Sequence, residues 1–159
     1  ALPGSNSPIR EEKIKGNRNF ITKIWNASRF ILMNIDESEL ETISKNLKIN
    51  SDRIEITKKH VKKVSEYIEK FQFNLGAEEI REFFWHQVCD VWIEEIKSEI
   101  KDQPVGSEKR IDGLAELLCI LKENLKIMHP FIPFVTEGVW QELVNLGLAS
   151  GVLMVEQLF

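Results

Sequence analysis

One short stretch in the middle of the chain has the residue types of a reactive site. His86 and Asp90 stand four residues apart, so they would share one face of a helix, and Cys89 and Glu94 are close by. Such residues could bind a metal ion or transfer protons. The chain has three histidines in all and no Cys-x-x-Cys pair, so the group lacks a further ligand at the usual spacing. We therefore predict a structural His86–Asp90 hydrogen bond inside an aromatic-rich helix pair, with no catalytic residue and no metal ligand.

A second candidate site is a basic, amide-rich arc on the first predicted helix. At about 100° per residue, one arc of that helix is apolar. It contains Ile14, Ile21, Ile24, Trp25, Ile31 and Leu32. The other arc contains Lys15, Arg18, Asn19, Thr22, Lys23, Asn26 and Arg29. Between Ile9 and Asn34, six Lys or Arg stand against two Glu, a balance of +4 in a chain of net charge −4. Such a face indicates an anionic partner, and its cations suit phosphate groups.

Phe30 falls among these polar residues by helical angle. An exposed aromatic ring beside cations can stack an unpaired RNA base. The alternative is that Phe30 packs beneath the segment of residues 36–47. A smaller basic group opens the next long helix, and we interpret it as a solvated surface. That group consists of Arg53, Lys58, Lys59, Lys62 and Lys63.

These residues must be positioned by helices, because apolar residues recur at three- and four-residue steps along the chain. The predicted helices cover about 11–34, 38–47, 51–71, 76–101, 111–128 and 133–147. Ser38 and Glu41 have the spacing of a capping box, and Pro133 suits a first helical turn. We predict an all-α fold, an antiparallel bundle of four to five helices. The predicted boundaries are a connector (1–10), a helical domain (11–147) and a C-terminal tail (148–159).

Length and composition agree with one globular domain. The 159 residues are 43% apolar and 29% charged, which are values of a folded chain rather than a disordered one. No apolar run approaches the ~20 residues of a membrane span, and no signal-peptide pattern is present. Cys89 and Cys119 lie in apolar helical patterns, as buried, reduced thiols of a cytoplasmic protein would. We expect a cytoplasmic monomer.

Three blocks of sequence carry a resemblance to a known family. They are RNFITKIWNASRFILMN (18–34), FNLGAEEIREFFWHQVCDVWIEEIK (73–97) and IMHPFIPFVTEGVWQEL (127–143). In this order and spacing they resemble the helical anticodon-binding domain of class I aminoacyl-tRNA synthetases. Within that family, Trp25-Asn26 and the run from Phe30 to Asn34 are similar to the valyl enzymes.

The resemblance implies a partner and a division of labour. It implies that the chain binds the anticodon stem-loop of tRNA(Val). The tRNA-binding residues would be Lys15, Arg18, Asn19, Lys23, Asn26, Arg29 and Phe30. The HIGH-type and KMSKS-type catalytic signatures of the family are absent from these residues. We therefore expect an excised, catalytically inactive domain without a cofactor of its own. Its partner in the same chain would be the missing catalytic domain, upstream of the connector (1–10), where ATP and Mg²⁺ act and valine is joined to tRNA.

Two other functions remain open from the sequence. The chain could be the corresponding domain of an isoleucyl- or leucyl-tRNA synthetase, since those enzymes share the plan. It could also be a non-catalytic helical bundle whose polar arc binds another protein.

Overall fold

A computed structural model describes the backbone of residues 8–153 and the side chains of residues 16–153. Over that range the regular structure is helical throughout. The helices are α1 (Pro8–Met33), α2 (Leu40–Lys45), α3 (Asp52–Glu69), α4 (Phe73–Glu82), α5 (Ile93–Ile100), α6 (Glu108–Met128) and α7 (Pro133–Asn145). A 3₁₀ turn (Glu37–Glu39) precedes α2, and a π-helical segment (Phe83–Trp92) joins α4 to α5 without interruption. Five long helical rods and the short α2 thus form the predicted all-α bundle.

Helix α6 lies at the centre of the bundle and contacts each of the other α-helices. The residues that predicted its apolar stripe are all buried, with 3% or less of each exposed. They are Ile111, Leu114, Leu118, Leu121, Leu125 and Met128. Leu117, Ile120 and Asn124 are buried as well, so the buried surface is wider than the predicted stripe. The central position explains this width, because α6 has neighbours on every side.

The buried face of α1 is rotated from the predicted apolar arc. Its most buried side chains are Phe20, Ile24, Ala27, Ser28 and Ile31. Ile21, Trp25 and Leu32, which the helical projection placed on the apolar arc, are half-buried on one flank. The rotation follows from packing, because the Phe20 ring meets the edge of Phe84 with 6.2 Å between centroids.

The start of the short second helix corrects a capping prediction. The capping box is formed by Asp36 and Glu39, not by Ser38 and Glu41. Asp36 Oδ2 accepts a hydrogen bond from the Ser38 N–H, and Glu39 Oε1 accepts one from the Asp36 N–H, both at 3.0 Å. Both pairs have the same spacing in sequence, and Asp caps a helix as well as Ser does. Spacing alone therefore did not distinguish them.

The start of α4 also differs from the prediction, because the helix begins at Phe73 and contains Gly76. A Cβ atom at Gly76 would lie 3.3 Å from Phe131 Cζ. Gly76 therefore allows the turn between α6 and α7 to pack closely on α4. This glycine reflects a close approach between elements, not the helix boundary that the sequence suggested.

The π-helical segment was not predicted, since the sequence indicated one α-helix to about residue 101. Its backbone bonds join residues five apart, such as the Ile93 N–H to the Val88 oxygen. The segment buries Phe84, Val88, Cys89 and Trp92.

Cys89 and Cys119 are free thiols, and burial raises the pKa of Cys89 to about 12. Cys119 is half-buried rather than buried as predicted, but burial raises its pKa as well, so both thiols are protonated near neutral pH.

Helix α1 runs parallel to the long helix formed by α4, the π-helical segment and α5. Arg81 Nη2 donates a hydrogen bond to Asn17 Oδ1 at 2.8 Å, and Lys97 Nζ lies 5.0 Å from the ring centroid of Phe30. Between these contacts α1 advances 13 residues and the facing helix 16. The π-helical segment contributes to the difference, because a helix with longer hydrogen-bonded loops rises less per residue.

The described part of the predicted tail belongs to the fold. Leu148 and Leu153 are buried in the common core. Lys122 Nζ donates to the Leu148 carbonyl at 2.9 Å, and the Leu153 N–H donates to Glu137 Oε2 at 2.9 Å. The remainder of the tail, from Met154 on, lies outside the described residues, as do residues 1–7 of the predicted connector. The last three residues of that connector, 8–10, belong to α1. None of the described helices is long and apolar enough to cross a membrane.

Candidate nucleic-acid interface

One face of α1 is open to solvent along most of its described length. We call it the open face, and it consists of Arg18, Asn19, Thr22, Asn26, Arg29 and Met33. Among the residues with described side chains, neither Arg18 nor Arg29 forms an ion pair. Their charges are therefore available to a ligand. Lys15 belongs to the α1 backbone, but its side chain lies outside the described residues.

The two arginines of the open face are well separated. They lie eleven residues apart, which places their Cα atoms ~16 Å apart along the helix axis and only about 20° apart around it. Asn26 and Thr22 occupy the surface between them. Two cations on one line, with amide and hydroxyl groups between them, can contact two phosphates and the edges of intervening bases.

Lys23 is turned away from the open face towards the π-helical segment. Its Nζ lies 3.7 Å from Asp90 Oδ1 and 5.5 Å from the centroid of the Trp85 ring. The Trp85 ring in turn stacks on Phe20, with 6.3 Å between centroids. Lys23 thus has an acidic partner within the fold, unlike the two arginines of the open face.

The predicted His86–Asp90 hydrogen bond is present, but its predicted location inside a helix pair is wrong. His86 Nδ1 lies 3.2 Å from Asp90 Oδ2, with 58% and 46% of the two side chains exposed. The π-helical segment turns both residues to the surface beside α1. Among the described residues, no group of three His, Cys, Asp or Glu could hold a metal ion.

Phe30 is half-buried and packs against α5. It packs against the hydrophobic core and is therefore not fully exposed on the polar arc. Its ring forms one wall of a cavity of about 410 Å³ between α1, α5 and α6. Ile31 and Leu114 also line this cavity, together with the cations Lys97 and Lys101 and the acid Glu94. Glu94 Oε2 lies 4.0 Å from Lys97 Nζ and partly balances its charge. A nucleotide has a flat aromatic base and a negatively charged phosphate. It therefore suits this combination of apolar and cationic groups.

The basic group at the start of α3 is largely paired within the protein. Arg53 contacts Glu95 and Glu116 at 2.7 Å and Glu99 at 3.1 Å. Burial alone would lower the pKa of Arg53, but its hydrogen bonds to these carboxylates raise the pKa above its ordinary value. Arg53 therefore joins α3 to α5 and α6. The carboxylates are 42 to 63 residues distant in sequence, so no local pattern could have indicated them.

Two other members of that group also have acidic neighbours. Lys63 Nζ lies 3.2 Å from Glu79 Oε2, and Lys58 Nζ lies 3.2 Å from Glu55 Oε1. Lys59 and Lys62 are exposed, with no ion pair among the described residues. Within the described part of the chain, three of the five cations of the α3 group thus have acidic partners and two do not. Neither arginine of the open face of α1 has an acidic partner among the described side chains.

Comparison with known proteins assigns this fold to a class. A family model described as the anticodon-binding domain of tRNA ligase matches residues 54–158. The chain therefore belongs to the family of anticodon-binding domains of tRNA ligases. The matched range begins after α1, so the open face lies outside it.

Curated relatives extend the likeness to α1. A valine–tRNA ligase of Pseudothermotoga lettingae is 37% identical over 145 residues, which is 90% of this chain and 16% of the relative. The valine–tRNA ligase of Fervidobacterium nodosum is 36% identical over 82% of this chain and 15% of its own length. That of Legionella pneumophila (strain Lens) is 31% identical over 96% of this chain and 17% of its own length. The chain spans about a sixth of the length of these relatives.

Proposed function

We propose that this chain is the anticodon-binding domain of a valine–tRNA ligase and that it binds the anticodon stem-loop of tRNA(Val). The proposed RNA-binding surface rests on one observation. On the open face of α1, Arg18 and Arg29 have no acidic partner among the described residues. The choice of valine rests on relatives named valine–tRNA ligase, which match 82% to 96% of the chain.

The two arginines would hold backbone phosphates and set the register of the RNA without reading its sequence. Asn19 and Asn26 would form hydrogen bonds with the edges of unpaired anticodon bases, which a single-stranded loop exposes. The cavity beside Phe30 would accept one such base, with Lys101 near its phosphate. Lys97 would contribute less, because Glu94 lies 4.0 Å from its Nζ. Lys23 would contribute less, because Asp90 already balances its charge.

The full ligase would attach valine to tRNA(Val) with ATP and Mg²⁺, and both would act outside this chain. We propose that the chain alone is catalytically inactive, and that the whole enzyme is a cytoplasmic monomer. ATP–pyrophosphate exchange with valine checks the first statement. Exchange by the purified chain above that of a buffer control would contradict it.

Salt-dependent binding of purified tRNA(Val) tests the RNA-binding face. If three phosphates are neutralised, the log–log slope should be about −2, so that affinity falls on the order of 20-fold between 50 and 200 mM salt. Arg18→Ala and Arg29→Ala should each flatten the slope by about 0.7. Lys59→Ala and Lys62→Ala, on the α3 surface, are the matched controls and should leave it unchanged. If the two lysine variants flatten the slope and the two arginine variants do not, the RNA-binding face lies on α3.

A change in specificity between tRNAs tests the proposed role of the asparagine side chains. Asn26→Ala should narrow the difference in affinity between tRNA(Val) and non-cognate tRNA, because an amide reads base edges rather than charge. Asn145→Ala, at the end of α7, is an exposed amide control. A preference of the unmodified protein for an isoleucine or leucine tRNA would replace the valyl assignment. Absence of any tRNA binding would favour a protein-interaction bundle.

A further inference from the structure

Large apolar side chains stand in solvent at one end of the bundle. This end holds the turn between α3 and α4 and the turn between α6 and α7, which meet where Phe131 packs on Gly76. The exposed fractions are 81% for Phe71, 50% for Phe73, 44% for Leu75 and 94% for Phe134. We call these four residues the apolar end.

Phe71 is held in an unfavourable backbone conformation. It follows α3 with φ of +58°, in the left-handed region that usually requires glycine. The N–H of Phe71 donates to the Ile68 carbonyl at 3.0 Å, and the N–H of Gln72 donates to the Tyr67 carbonyl at 2.8 Å. This is the pattern of a helix terminator in which glycine is the commonest residue.

The Phe71 ring gains little within the fold. The Phe71 ring contacts the Phe73 ring with 6.1 Å between centroids, and the two residues are 81% and 50% exposed. Position 71 thus combines a strained backbone with an exposed aromatic side chain. Strained residues of this kind are concentrated at functional surfaces, and exposed apolar patches mark contacts with other proteins.

We propose that the apolar end is the docking surface for the preceding domain of the parent ligase. The inference rests on the proposed function, because it requires this chain to be part of a larger ligase. About five-sixths of each relative lies outside the region that matches this chain, so a large neighbouring domain is available. Helix α1 begins at the same end, since Asn17 pairs with Arg81 near the start of the long helix. Pro8, where α1 begins, therefore lies towards the end of the bundle that carries these four residues.

Charge distinguishes this surface from the RNA-binding face. The exposed polar residues around the two turns are neutral or of both signs, among them Lys70, Gln72, Asn74 and Glu78. The open face of α1 instead combines two arginines with no acid. An apolar surface of another domain fits the first environment, and an RNA backbone fits the second.

Alkylation of single cysteine substitutions in the full-length ligase tests the docking. Phe71→Cys and Phe134→Cys should react with a maleimide on the order of tenfold more slowly than Val105→Cys. Val105 is 57% exposed between α5 and α6, at the opposite end of the bundle, and serves as the control. Peptide-resolved mass spectrometry reads each site, and all three should react equally in denaturant. Equal rates in the native enzyme would overturn the proposal.

The same alkylation measured at different protein concentrations, and with and without tRNA, identifies what covers the surface. Protection that disappears on dilution to a monomer would mean that a second copy covers it. Protection that requires tRNA would mean that RNA covers it. Either result overturns the assignment to the preceding domain, whereas protection in the tRNA-free monomer supports it.

A last pair of variants separates docking from folding and from RNA binding. Phe71→Gly removes the ring and suits the left-handed backbone, so the unfolding temperature of the domain should be unchanged or higher. In the full-length ligase it should speed proteolysis between the domains and leave the affinity for an anticodon stem-loop unchanged within about twofold. Unchanged proteolysis would overturn the docking. The flatter salt slope expected for Arg18→Ala tests the proposed function independently.

Discussion

Lys23 and Asp90 form an ion pair between α1 and the π-helical segment, with 3.7 Å between Nζ and Oδ1. The pair stands beside the open face, with 33% and 46% of the two side chains exposed. A pair so accessible to water contributes at most about 1 kcal/mol to stability. Its main effect is to reduce the positive charge that α1 presents to a ligand.

Asp90→Asn is therefore expected to increase the affinity for tRNA. The substitution keeps the shape of the side chain and removes the charge that balances Lys23, so the log–log salt slope should steepen by up to about 0.7. Fluorescence anisotropy with labelled tRNA(Val) at several salt concentrations measures it. Asp102→Asn, exposed between α5 and α6, is the control for general loss of negative charge. An equal gain in both variants would assign the effect to net charge rather than to Lys23.

The stability of the domain should fall in mild acid because of His60. This residue is 4% exposed and stacks on Phe83 with 3.8 Å between ring centroids. Neither ring nitrogen has a hydrogen-bond partner among the described residues. Burial, and after it the charge of Lys63, lower the pKa of His60 to about 4. Glu79 also faces the ring, with Oε1 3.9 Å from Nδ1, but Lys63 occupies its other oxygen.

Because the unfolded state binds a proton to His60 at higher pH than the folded state, stability must fall as pH decreases. The contribution is complete above about pH 6.5 and is lost towards pH 4, on the order of 3 kcal/mol in total. Urea unfolding between pH 7 and 4.5 should show this slope. His60→Phe, which keeps the stacking and cannot titrate, should flatten it, whereas the exposed His86→Gln should not. A parallel decline in all three proteins would assign the acid sensitivity to the carboxylates instead.

Arg110→Ala should strongly destabilise the domain. Arg110 Nε contacts Glu39 Oε2 at 2.9 Å, and the Glu39 side chain has no exposed surface. Burial would raise the pKa of Glu39, but the Arg110 hydrogen bond and the backbone N–H groups of Gly106 and Asp36 lower it below its ordinary value. Loss of Arg110 leaves a buried carboxylate without its cation, at a cost of about 3–5 kcal/mol. Lys109→Ala, exposed next to it, should change the unfolding free energy by less than about 0.5 kcal/mol. A loss of similar size in both variants would show that Glu39 does not depend on Arg110.

Leu121→Ala should cost about 2–5 kcal/mol in unfolding free energy, through lost transfer energy and a cavity. Leu121 is 1% exposed in the middle of the central helix. Leu146→Ala, at a position that is 38% exposed, is the control and should cost much less. Chemical denaturation monitored by circular dichroism measures both. Near-equal values would mean that α6 does not carry the core.

The features that sequence could predict were those with a local cause. The apolar period of α6 correctly predicted six buried residues, and Pro133 does begin α7. The helical projection also placed Arg18, Asn26 and Arg29 on one surface, and all three are exposed together. Whether they bind tRNA stays a prediction.

The features that sequence missed depend on distant partners. Lys23 and Phe30 lie at the edge of the polar arc, where the neighbouring helix decides their environment. Asp90 and Lys97, their partners, are both 67 residues further along the chain. The π-helical segment has no residue signature that distinguishes it from an α-helix, because its backbone pattern follows from packing on α1 and α3. Exposure of Phe71 was equally hidden, since the residue type suggests burial.

The three-residue difference between α1 and its parallel neighbour has a consequence for the evolution of this domain. The π-helical segment already contains more residues than the distance it spans requires. A deletion of one residue there can be absorbed by conversion of a turn to α-helix, and the contacts of Asn17 and Phe30 at its two sides would remain aligned. The same deletion within α1 would rotate every later residue by about 100° and remove Arg29 from its line with Arg18. We therefore expect a one-residue deletion to be accommodated more easily in the π-helical segment than in α1.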